Sequence, residues 1–310
     1  MNEQEWLEQR RAVVTATDVP ILLGVSQYKS PLQLWAEKVE GEEQSQSTAM
    51  EVGLDLQPVL IRKAGKITRW HSRELLLDDA WKIRGILGAT LDGMICVPDD
   101  AEQRAYGLGV MGYDGDIEPG DYILECKTTG KLDNDEFPPS WFAQVQTQMY
   151  VHDRQGAVVI TLILDYRRRY RLWLVRRDDQ FIERIILPAA QEFYQCLVQR
   201  TPPRASSAID LPITRSMYTR ADNVIESSAY DDMLNRYAML QSQCAEIRER
   251  LRAVEDEMRG IEAQLWQCAG ESHASRIVGT QYTVAFHVSQ RREYVVPAQE
   301  IKRMTIKENR

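Results

Sequence analysis

The sequence predicts an α/β fold in which helices flank a small mixed sheet, with a long helical extension after it. Over the first 200 residues, segments rich in β-branched and aromatic residues alternate with segments that have helical periodicity. Beyond residue 225, apolar residues recur in steps of three and four over about five heptads. The first pattern is typical of a sheet covered by helices, and the second of a helix that pairs along one face.

The elements follow in order along the chain. Helices are predicted at residues 3–14, from a cap in 15–18 to Leu23, from Ser30-Pro31 onwards, and at 49–64, 138–153 and 179–199. Strands are predicted at 83–87, 89–97, 122–127, 157–165 and 170–176. The polar segment 40–48 indicates a loop, and the glycine-rich segment 107–120 indicates a hairpin or a surface insertion.

Two parts joined by a linker are predicted, because residues 201–212 are rich in proline and serine. We expect a core at 1–200, a linker at 201–224, and an arm at 225–310 that combines a coiled-coil-like helix with a small β/α tail. Gly270 is expected to end that helix, and residues 277–288 indicate a strand pair. Three roles for the helix stay open. It can brace the chain's own core, serve self-association or docking of a recombination partner, or track DNA, which its mixed charges favour least.

The charge of the chain is acidic overall but uneven. Its 38 Lys and Arg residues against 46 Asp and Glu residues give a net charge of −8, which excludes a histone-like polycation but not an enzyme of nucleic acids. Residues 56–73 carry five basic residues and no acidic one, and residues 166–177 carry six arginines and no acidic residue. Both segments are either solvated faces or surfaces that face DNA.

Composition also narrows the location and the cofactors. No apolar run is long enough to span a bilayer, and the acidic residues at the N-terminus do not resemble a signal peptide. Five cysteines without a CxxC pair argue against disulfides and against an iron–sulfur cluster. We therefore expect a cytoplasmic protein with no membrane partner. The four histidines lack the spacing of metal ligands. The sequence contains no P-loop motif, so no ATPase is predicted.

Acidic residues on two predicted strands indicate a hydrolytic site. Asp92 stands at a strand end before Gly93, and Glu125 and Lys127 alternate on one strand, so their side chains share a face while Cys126 points to the other. Carboxylates suit hard divalent metals, and a nearby lysine can act on water or balance phosphate charge. This set suffices for metal-assisted phosphodiester hydrolysis. The alternative is an exposed strand with an ordinary ion pair, since Glu-x-Lys is common by chance.

Five segments from Trp6 to about Pro203 resemble, in order, the YqaJ-type viral recombinase family, relatives of phage lambda exonuclease in the PD-(D/E)xK nuclease superfamily. The segments are Trp6-x-x-x-Arg10 with Val14-Thr15-Ala16-Thr17-Asp18 and Leu23-Gly24-x-Ser26-x-Tyr28, then Gly53-x-x-x-Gln57-Pro58, Ala89-Thr90-Leu91-Asp92-Gly93, Leu124-Glu125-Cys126-Lys127-Thr128-Thr129, and Ala143-Gln144-Val145-Gln146-x-Gln148-Met149-Tyr150. The resemblance implies a restriction-endonuclease-like core, with a mixed central sheet flanked by helices.

The resemblance also implies roles for individual residues. Asp92, Glu125 and the backbone carbonyl of Cys126 would hold one or two Mg²⁺ or Mn²⁺ ions. Lys127 would act on the attacking water, and Gln144 would orient that water or Lys127. These four side chains, Asp92, Glu125, Lys127 and Gln144, are the expected catalytic residues.

A second group of residues is implied to bind DNA and its terminal 5′-phosphate: Arg10, Thr15, Thr17, Thr90 and Gln146. An arginine fork with hydroxyl groups suits a phosphate. The alternative is that Thr17 only caps a helix and that Arg10 is a surface residue.

One departure from the family concerns the second metal position. Gln57 stands where family members have a glutamate on the helix before the sheet. An amide oxygen can bind a hard cation but brings no negative charge. Weaker metal binding, lower activity, an inactivated site, or compensation by Asp55 or Glu51 are all open.

The function that the resemblance implies is a metal-dependent 5′→3′ exonuclease of phage-type recombination, acting on ends of linear double-stranded DNA with a metal-activated water. It would leave a 3′ tail for a single-strand annealing protein, and it would assemble as a ring trimer with the basic segments facing the bore. Two alternatives are a catalytically impaired module that binds DNA ends or proteins, and a structure-specific endonuclease.

Overall fold

The computed structural model describes residues 1–26, 28–41, 48–132, 136–164, 169–217, 227–290 and 300–308. Two compact units divide the chain, residues 1–220 and residues 221–310. In the described part, no helix is both long enough and apolar enough to cross a membrane.

The first unit contains ten α-helices and eight strands among its described residues. The helices are α1 (Glu3–Ala12), α2 (Val19–Leu22), α3 (Pro31–Glu40), α4 (Thr48–Thr68), α5 (Leu77–Ala80), α6 (Ala101–Met111), α7 (Pro139–His152), α8 (Asp179–Phe181), α9 (Leu187–Val198) and α10 (Leu211–Met217). A π-helical stretch, Ile182–Ile186, joins α8 to α9, and a 3₁₀ turn, Ala208–Asp210, precedes α10. The strands are β1 (Val14–Thr15), β2 (His71–Glu74), β3 (Trp81–Arg84), β4 (Leu87–Thr90), β5 (Gly93–Val97), β6 (Gly120–Thr129), β7 (Gly156–Ile163) and β8 (Arg169–Arg176).

A five-stranded mixed sheet in the order β2-β5-β6-β7-β8 forms the centre of this unit. β6 and β7 are parallel, and the other neighbours are antiparallel. A smaller sheet of three strands has the order β1-β4-β3. In it, β1 is parallel to β4, and β3 is antiparallel to β4. The predicted fold class, α/β with helices around a mixed sheet, is confirmed.

Helices cover both faces of the central sheet. Successive side chains of its strands point to opposite faces, and each face packs against its own hydrophobic core. Leu124 of β6 packs with Leu60 and Ile61 of α4, whereas the preceding residue, Ile123, packs with Val145 and other residues of α7. β7, the neighbour of β6, is buried along all eight residues, as expected for a strand that is covered on both faces. The strand that carries Glu125 therefore lies in the interior, with α7 directly over one face.

Local sequence signals account for several helix boundaries. Ser30 caps α3 as predicted, because its hydroxyl accepts from the Gln33 backbone N–H at 3.1 Å, and Gly41 ends the helix in the left-handed conformation. α2 begins after Asp18, inside the predicted cap segment. Of the predicted loop at 40–48, residues 42–47 lie outside the described residues.

Two segments contain helical structure that the sequence analysis did not predict. The segment 107–120 is not a hairpin, since its first residues complete α6, which begins at a side-chain cap on Asp100. The predicted linker at 201–224 contains the 3₁₀ turn and α10, and Asp210 within it is buried against Ser30, while residues 218–226 lie outside the described residues. Local composition missed both, because contacts with distant residues stabilise them.

The second unit consists of one long helix and a small antiparallel sheet. A 3₁₀ turn, Ser228–Tyr230, leads into α11 (Asp231–Glu271), and β9 (Arg276–Val278), β10 (Tyr282–Gln290) and β11 (Glu300–Glu308) follow. The sheet order is β11-β10-β9. The strand pair expected at 277–288 corresponds to β9 and β10, whereas β11 was not predicted. The expected end of the helix at Gly270 is wrong by one residue.

Two glycines of α6 provide a matched test of the packing around the sheet. A Cβ atom on Gly107 would lie 2.2 Å from the buried Trp70 ring, whereas one on Gly109 would meet nothing within 4 Å. We expect Gly107→Ala to lower the free energy of unfolding by about 1–3 kcal/mol through overpacking. Gly109→Ala should raise it by about 0.5–1 kcal/mol, because alanine favours a helix. Urea unfolding of both variants measures the difference, and equal stabilities would contradict the packing of α6 on Trp70.

Candidate active site

Asp92 and Glu125 lie close together because neighbouring strands of the central sheet position them. Asp92 lies between β4 and β5, and Gly93, the first residue of β5, pairs with Leu124 of β6. The carboxylate of Asp92 accepts a hydrogen bond from the backbone N–H of Cys126 at 2.8 Å. This bond ties the turn after β4 to the strand that carries Glu125.

Glu125, Lys127 and Gln144 form a closed triangle of hydrogen bonds. Lys127 Nζ lies 2.7 Å from Glu125 Oε1 and 2.7 Å from Gln144 Oε1. Gln144 Nε2 donates to the same Glu125 oxygen at 2.7 Å. Glu125 and Lys127 share the face of β6 that α7 covers, and the side chain of Cys126 packs into the opposite core. The structure therefore brings the predicted catalytic residues together.

Gln148, which the sequence analysis did not single out as a site residue, holds the second oxygen of Glu125. Its Nε2 donates to Glu125 Oε2 at 2.7 Å and to the backbone oxygen of Thr90 at 3.3 Å. Gln144 and Gln148 are four residues apart on α7, so they share one face of the helix, and this spacing was the available signal. Among the described residues, no hydrogen-bond partner reaches the buried Oε1 of Gln148.

Gln146 lies away from this cluster, and the structure contradicts its predicted contact with DNA. The side chain is fully buried. Its Nε2 donates to the backbone oxygen of Arg176 at 2.7 Å, and its Oε1 accepts from the backbone N–H of Asp178 at 2.8 Å. Two helical residues correspond to a rotation of about 200°, so Gln146 points away from the Gln144 face and joins α7 to the end of β8.

The two carboxylates influence each other electrostatically. Glu125 is 3% exposed and Asp92 is partly buried. Burial, and next to it the neighbouring charge of Glu125, raise the pKa of Asp92 to about 7, while the Cys126 N–H and the Lys127 ammonium act in the opposite direction. The single ammonium of Lys127 therefore faces two acidic groups.

The oxygen atoms around Asp92 are those that a hard cation prefers. Gln57 of α4 lies at the site, where its Nε2 donates to the backbone oxygen of Asp92 at 3.3 Å. The candidate oxygen ligands here are thus the carboxylates of Asp92 and Glu125 and the side-chain amide of Gln57, while the predicted role of the Cys126 carbonyl stays a prediction. In the part of the chain that the structure describes, no group of three or more His, Cys, Asp or Glu side chains comes together as a metal cluster. Glu51, on the same helix, is exposed.

The second predicted group of residues meets at the start of the chain. Arg10 of α1 donates from its two terminal nitrogens to the hydroxyls of Thr90 and Thr17, both at 3.4 Å. The hydroxyls of Thr15 and Thr17 are 2.9 Å apart. Trp6 Nε1 donates to the Thr90 hydroxyl at 3.2 Å, and the Arg10 guanidinium stacks over the Trp6 ring at 4.7 Å. We name Trp6, Arg10, Thr15, Thr17 and Thr90 the Arg10 cluster.

The charge of Arg10 is not balanced by an ion pair within the described residues. The nearby carboxylate of Asp18 is occupied, because it lies 2.8 Å from the buried Lys38 ammonium and accepts from the Thr15 backbone N–H at 2.7 Å. Burial lowers the pKa of Arg10, and Asp18 opposes that shift. Among the described residues, the partners of its guanidinium are therefore two hydroxyls and an aromatic ring, none of which carries a negative charge.

Thr90 connects the two groups of residues. Its hydroxyl belongs to the Arg10 cluster, its backbone oxygen accepts from Gln148, and Asp92 follows two residues later. Gln148 also donates to Glu125. Thr90 therefore contacts Arg10 through its hydroxyl and the partner of Glu125 through its backbone oxygen. The Arg10 cluster and the carboxylates are thus connected through Thr90.

The basic segments are partly engaged in local contacts. Lys63 lies 4.9 Å from the Tyr170 ring and Arg69 stacks over Tyr106 at 3.9 Å. Arg177 pairs with acidic residues, and Arg176 donates to the backbone oxygen of Asp116. Arg167 and Arg168 lie outside the described residues, so the expectation that these segments face DNA stays a prediction.

Comparison with solved structures finds exonucleases of low similarity. An alkaline exonuclease (LHK-Exo) from Laribacter hongkongensis has a TM-score of 0.43 and 19% identity, with 69% of this chain and 98% of that chain covered. A phage related exonuclease from Haemophilus somnus 129PT has a TM-score of 0.42 and 13% identity, with 61% and 96% covered.

Sequence comparison finds a relative and a family. The uncharacterized protein YqaJ of Bacillus subtilis (strain 168) is 23% identical over 276 residues, which cover 84% of this chain and 78% of the relative. Residues 5–155 match the model of the YqaJ-like viral recombinase domain, and this range contains both the Arg10 cluster and the residues from Asp92 to Gln148. The resemblance predicted from the five sequence segments, to the YqaJ-like viral recombinase family, is therefore confirmed.

Proposed function

We propose that this protein is a metal-dependent exonuclease that degrades linear double-stranded DNA from a 5′ end during phage-type recombination. The observation that carries the proposal is the continuity of the Arg10 cluster with the carboxylate site through Thr90 and Asp92. An anion-binding group beside a hydrolytic centre suits a strand that ends in a phosphate. The match to the YqaJ-like viral recombinase domain supports the same chemistry.

Mg²⁺ or Mn²⁺ fits the residues that are present. Mg²⁺ is typically bound by one or two carboxylates together with substrate phosphates, and Asp92 and Glu125 supply two carboxylates. The carbonyl of Cys126 and the amide of Gln57 would add neutral oxygen ligands. The metal would supply Lewis-acid stabilisation of the charge that develops on the phosphate, and would make a nearby water more acidic.

The surrounding side chains fix the geometry of this reaction. Gln144 and Gln148 donate to different oxygens of Glu125, so the carboxylate has one orientation. Lys127 is held between Glu125 and Gln144, and its ammonium would orient the attacking water and balance phosphate charge. The Arg10 guanidinium would hold the terminal phosphate with a bidentate contact.

The product of this reaction would be duplex DNA with a 3′ tail, the substrate of a single-strand annealing protein, which is the partner we propose. A ring trimer around DNA is the assembly that the family resemblance implies for the first unit. The basic segments would then face the bore.

A first prediction tests the carboxylate site. Glu125→Gln keeps the shape and one acceptor but removes the charge, so hydrolysis of linear duplex with Mg²⁺ should fall on the order of a thousandfold. DNA affinity should stay within about threefold, since the basic surface is intact. The control is Glu102→Gln on the exposed side of α6, which should leave the rate unchanged. Cleavage within about tenfold of the parent would show that Glu125 is not at the reaction centre.

The same assay separates the alternative functions. Linear, nicked and circular DNA are incubated with Mg²⁺ or with EDTA and resolved on a gel. Loss of linear duplex alone, and only with the metal, supports the exonuclease. Loss of circles indicates an endonuclease, and no change in any lane indicates a binding module on the nuclease fold.

A second prediction concerns Gln57. Gln57→Glu would place a third carboxylate beside Asp92, which should lower the Mg²⁺ concentration for half-maximal activity. Without metal, repulsion among the carboxylates should lower the melting temperature, and Mg²⁺ should restore it, so a melting curve provides a readout besides activity. The control is Gln57→Met, which replaces the same side chain at similar size but adds no charge. It should show neither the lower Mg²⁺ requirement nor the lower melting temperature. Unchanged metal dependence in Gln57→Glu would mean that residue 57 does not face the metal.

A third prediction tests the Arg10 cluster. The parent should degrade 5′-phosphoryl ends faster than 5′-hydroxyl ends, and Arg10→Ala should lose most of that preference. A hydrogen-bonded charged pair contributes about 2 kcal/mol, which corresponds to roughly 30-fold in rate. Arg11→Ala, the exposed neighbour on α1, should keep the preference. Equal rates on both ends in the parent would argue against terminal-phosphate binding and for the endonuclease.

A further inference from the structure

The long helix α11 carries an apolar stripe whose large side chains are exposed from Met233 to Ile261. Of its 41 residues, those at heptad steps of three and four form the stripe, and Leu240 at 41% and Met233 at 71% are the extremes of its large exposed side chains. We name this stripe the α11 seam: Leu240, Ile247, Leu251, Val254, Met258 and Ile261, with the residues at the same steps on either side. An exposed apolar stripe of this length marks an interaction surface, and the unbroken heptad spacing fits another helix.

Charges beside the seam differ between the two halves of the helix. In the first half, the charged residues that flank the seam are the basic Arg236, Arg248 and Arg250. In the second half they are all acidic: Glu255, Glu257, Glu262 and Glu271. Six of the seven are exposed, Glu262 is half-buried, and Glu255 also lies 3.8 Å from Arg259 on its own helix. If a second copy of the helix runs in the opposite direction, the basic half of one helix therefore lies opposite the acidic half of the other.

An antiparallel copy of the same helix matches these charges. With Leu251 packed against Val254 of the second copy, the flanking positions pair Arg250 with Glu257, Arg248 with Glu255, and Arg236 with Glu271, and two-fold symmetry repeats each pair. No like charges meet. A parallel, in-register pair would gain Arg250 with Glu255 but would also oppose Glu257 with Glu262.

The register is fixed by the same residues. A slide of one heptad in one direction opposes Arg248 and Arg250 with their own copies, and a slide in the other direction opposes Glu255 and Glu257 with theirs. In the matched register the two-fold axis passes between Arg252 and Ala253, close to the middle of α11. Residues 234–271 of each helix then overlap, roughly 57 Å at 1.5 Å per residue.

We propose that the α11 seam binds α11 of a second copy of this chain as an antiparallel two-stranded coiled coil. The apolar residues provide the affinity, and the flanking charges select the orientation and the register. This assembly is separate from the proposed nuclease activity, which involves residues of the first unit only.

A cysteine already present in the seam makes the register testable by cross-linking. Cys244 is exposed and, in the proposed register, faces Ile261 of the second copy. Ile261→Cys in the full chain should form a disulfide-linked dimer under mild oxidation. Within one helix these residues are roughly 25 Å apart, so the bond must join two chains. The control is Ile247→Cys, which lies on the same seam but roughly 21 Å along the axis from Cys244 of the second copy and roughly 16 Å from its own counterpart, so it should not link two chains.

Sedimentation of the full chain tests whether the seam carries the association. Leu251→Glu should halve the mass of the assembly, whereas Glu249→Ala on the far side of the helix should leave it unchanged. Far-UV circular dichroism shows whether Leu251→Glu keeps its helices, and the cross-linking test does not depend on that variant.

Three outcomes would overturn the proposal. The first is a Cys244–Cys244 cross-link in the oxidised parent, which would require parallel helices. The second is absence of a cross-link in Ile261→Cys. The third is a mass that Leu251→Glu does not change; if the same variant weakens DNA binding, the seam contacts DNA instead.

Discussion

The buried carboxylate of Glu125 is the constraint on which the rest of the site depends. A charged group that is removed from water is costly unless several donors replace the lost hydration. Glu125 has three: the ammonium of Lys127 on its own strand and the amides of Gln144 and Gln148 on α7. Since α7 supplies two of them, the helix must lie over β6 in one register. The packing of the core and the geometry of the site are therefore the same requirement.

The two amides contribute differently to this arrangement. Gln144 connects the carboxylate of Glu125 to the ammonium of Lys127. Gln148 instead connects Glu125 to the backbone of Thr90. The first connection stays within the triangle of Glu125, Lys127 and Gln144. The second extends to the strand end that also carries the Arg10 partner and Asp92. A displacement of α7 would thus disturb the Glu125 carboxylate and the Arg10 cluster together.

Patterns that are local in sequence predicted much of the fold and of the site. Alternation on one strand placed Glu125 and Lys127 on a common face, and helical spacing predicted α7 and α11 within a few residues. Residue type alone did not separate Gln146 from Gln148, because the sequence does not show which face of α7 meets the sheet. The helical rotation between Gln144 and its neighbours contained the answer, once Gln144 was taken as the reference.

Where contacts between distant residues decide the structure, local composition misled. Gly107 is a poor helix former, yet it lies in α6 because the absence of a side chain makes room for Trp70. The segment after residue 200 reads as a linker by its prolines and serines. Its order comes from Asp210, whose carboxylate accepts from Ser30 and from the backbone of Ser206 and Ser207.

That carboxylate has a consequence for where the first unit can be cut. Ser30 is the cap of α3, so Asp210 braces the start of a helix 180 residues earlier in the chain. Ile213 and Met217 of α10 pack on the core formed by α2, α3 and α9. A fragment shortened to residue 200 would lose the partner of Ser30 and leave apolar surface uncovered. A fragment that extends through Met217 would keep both of these contacts.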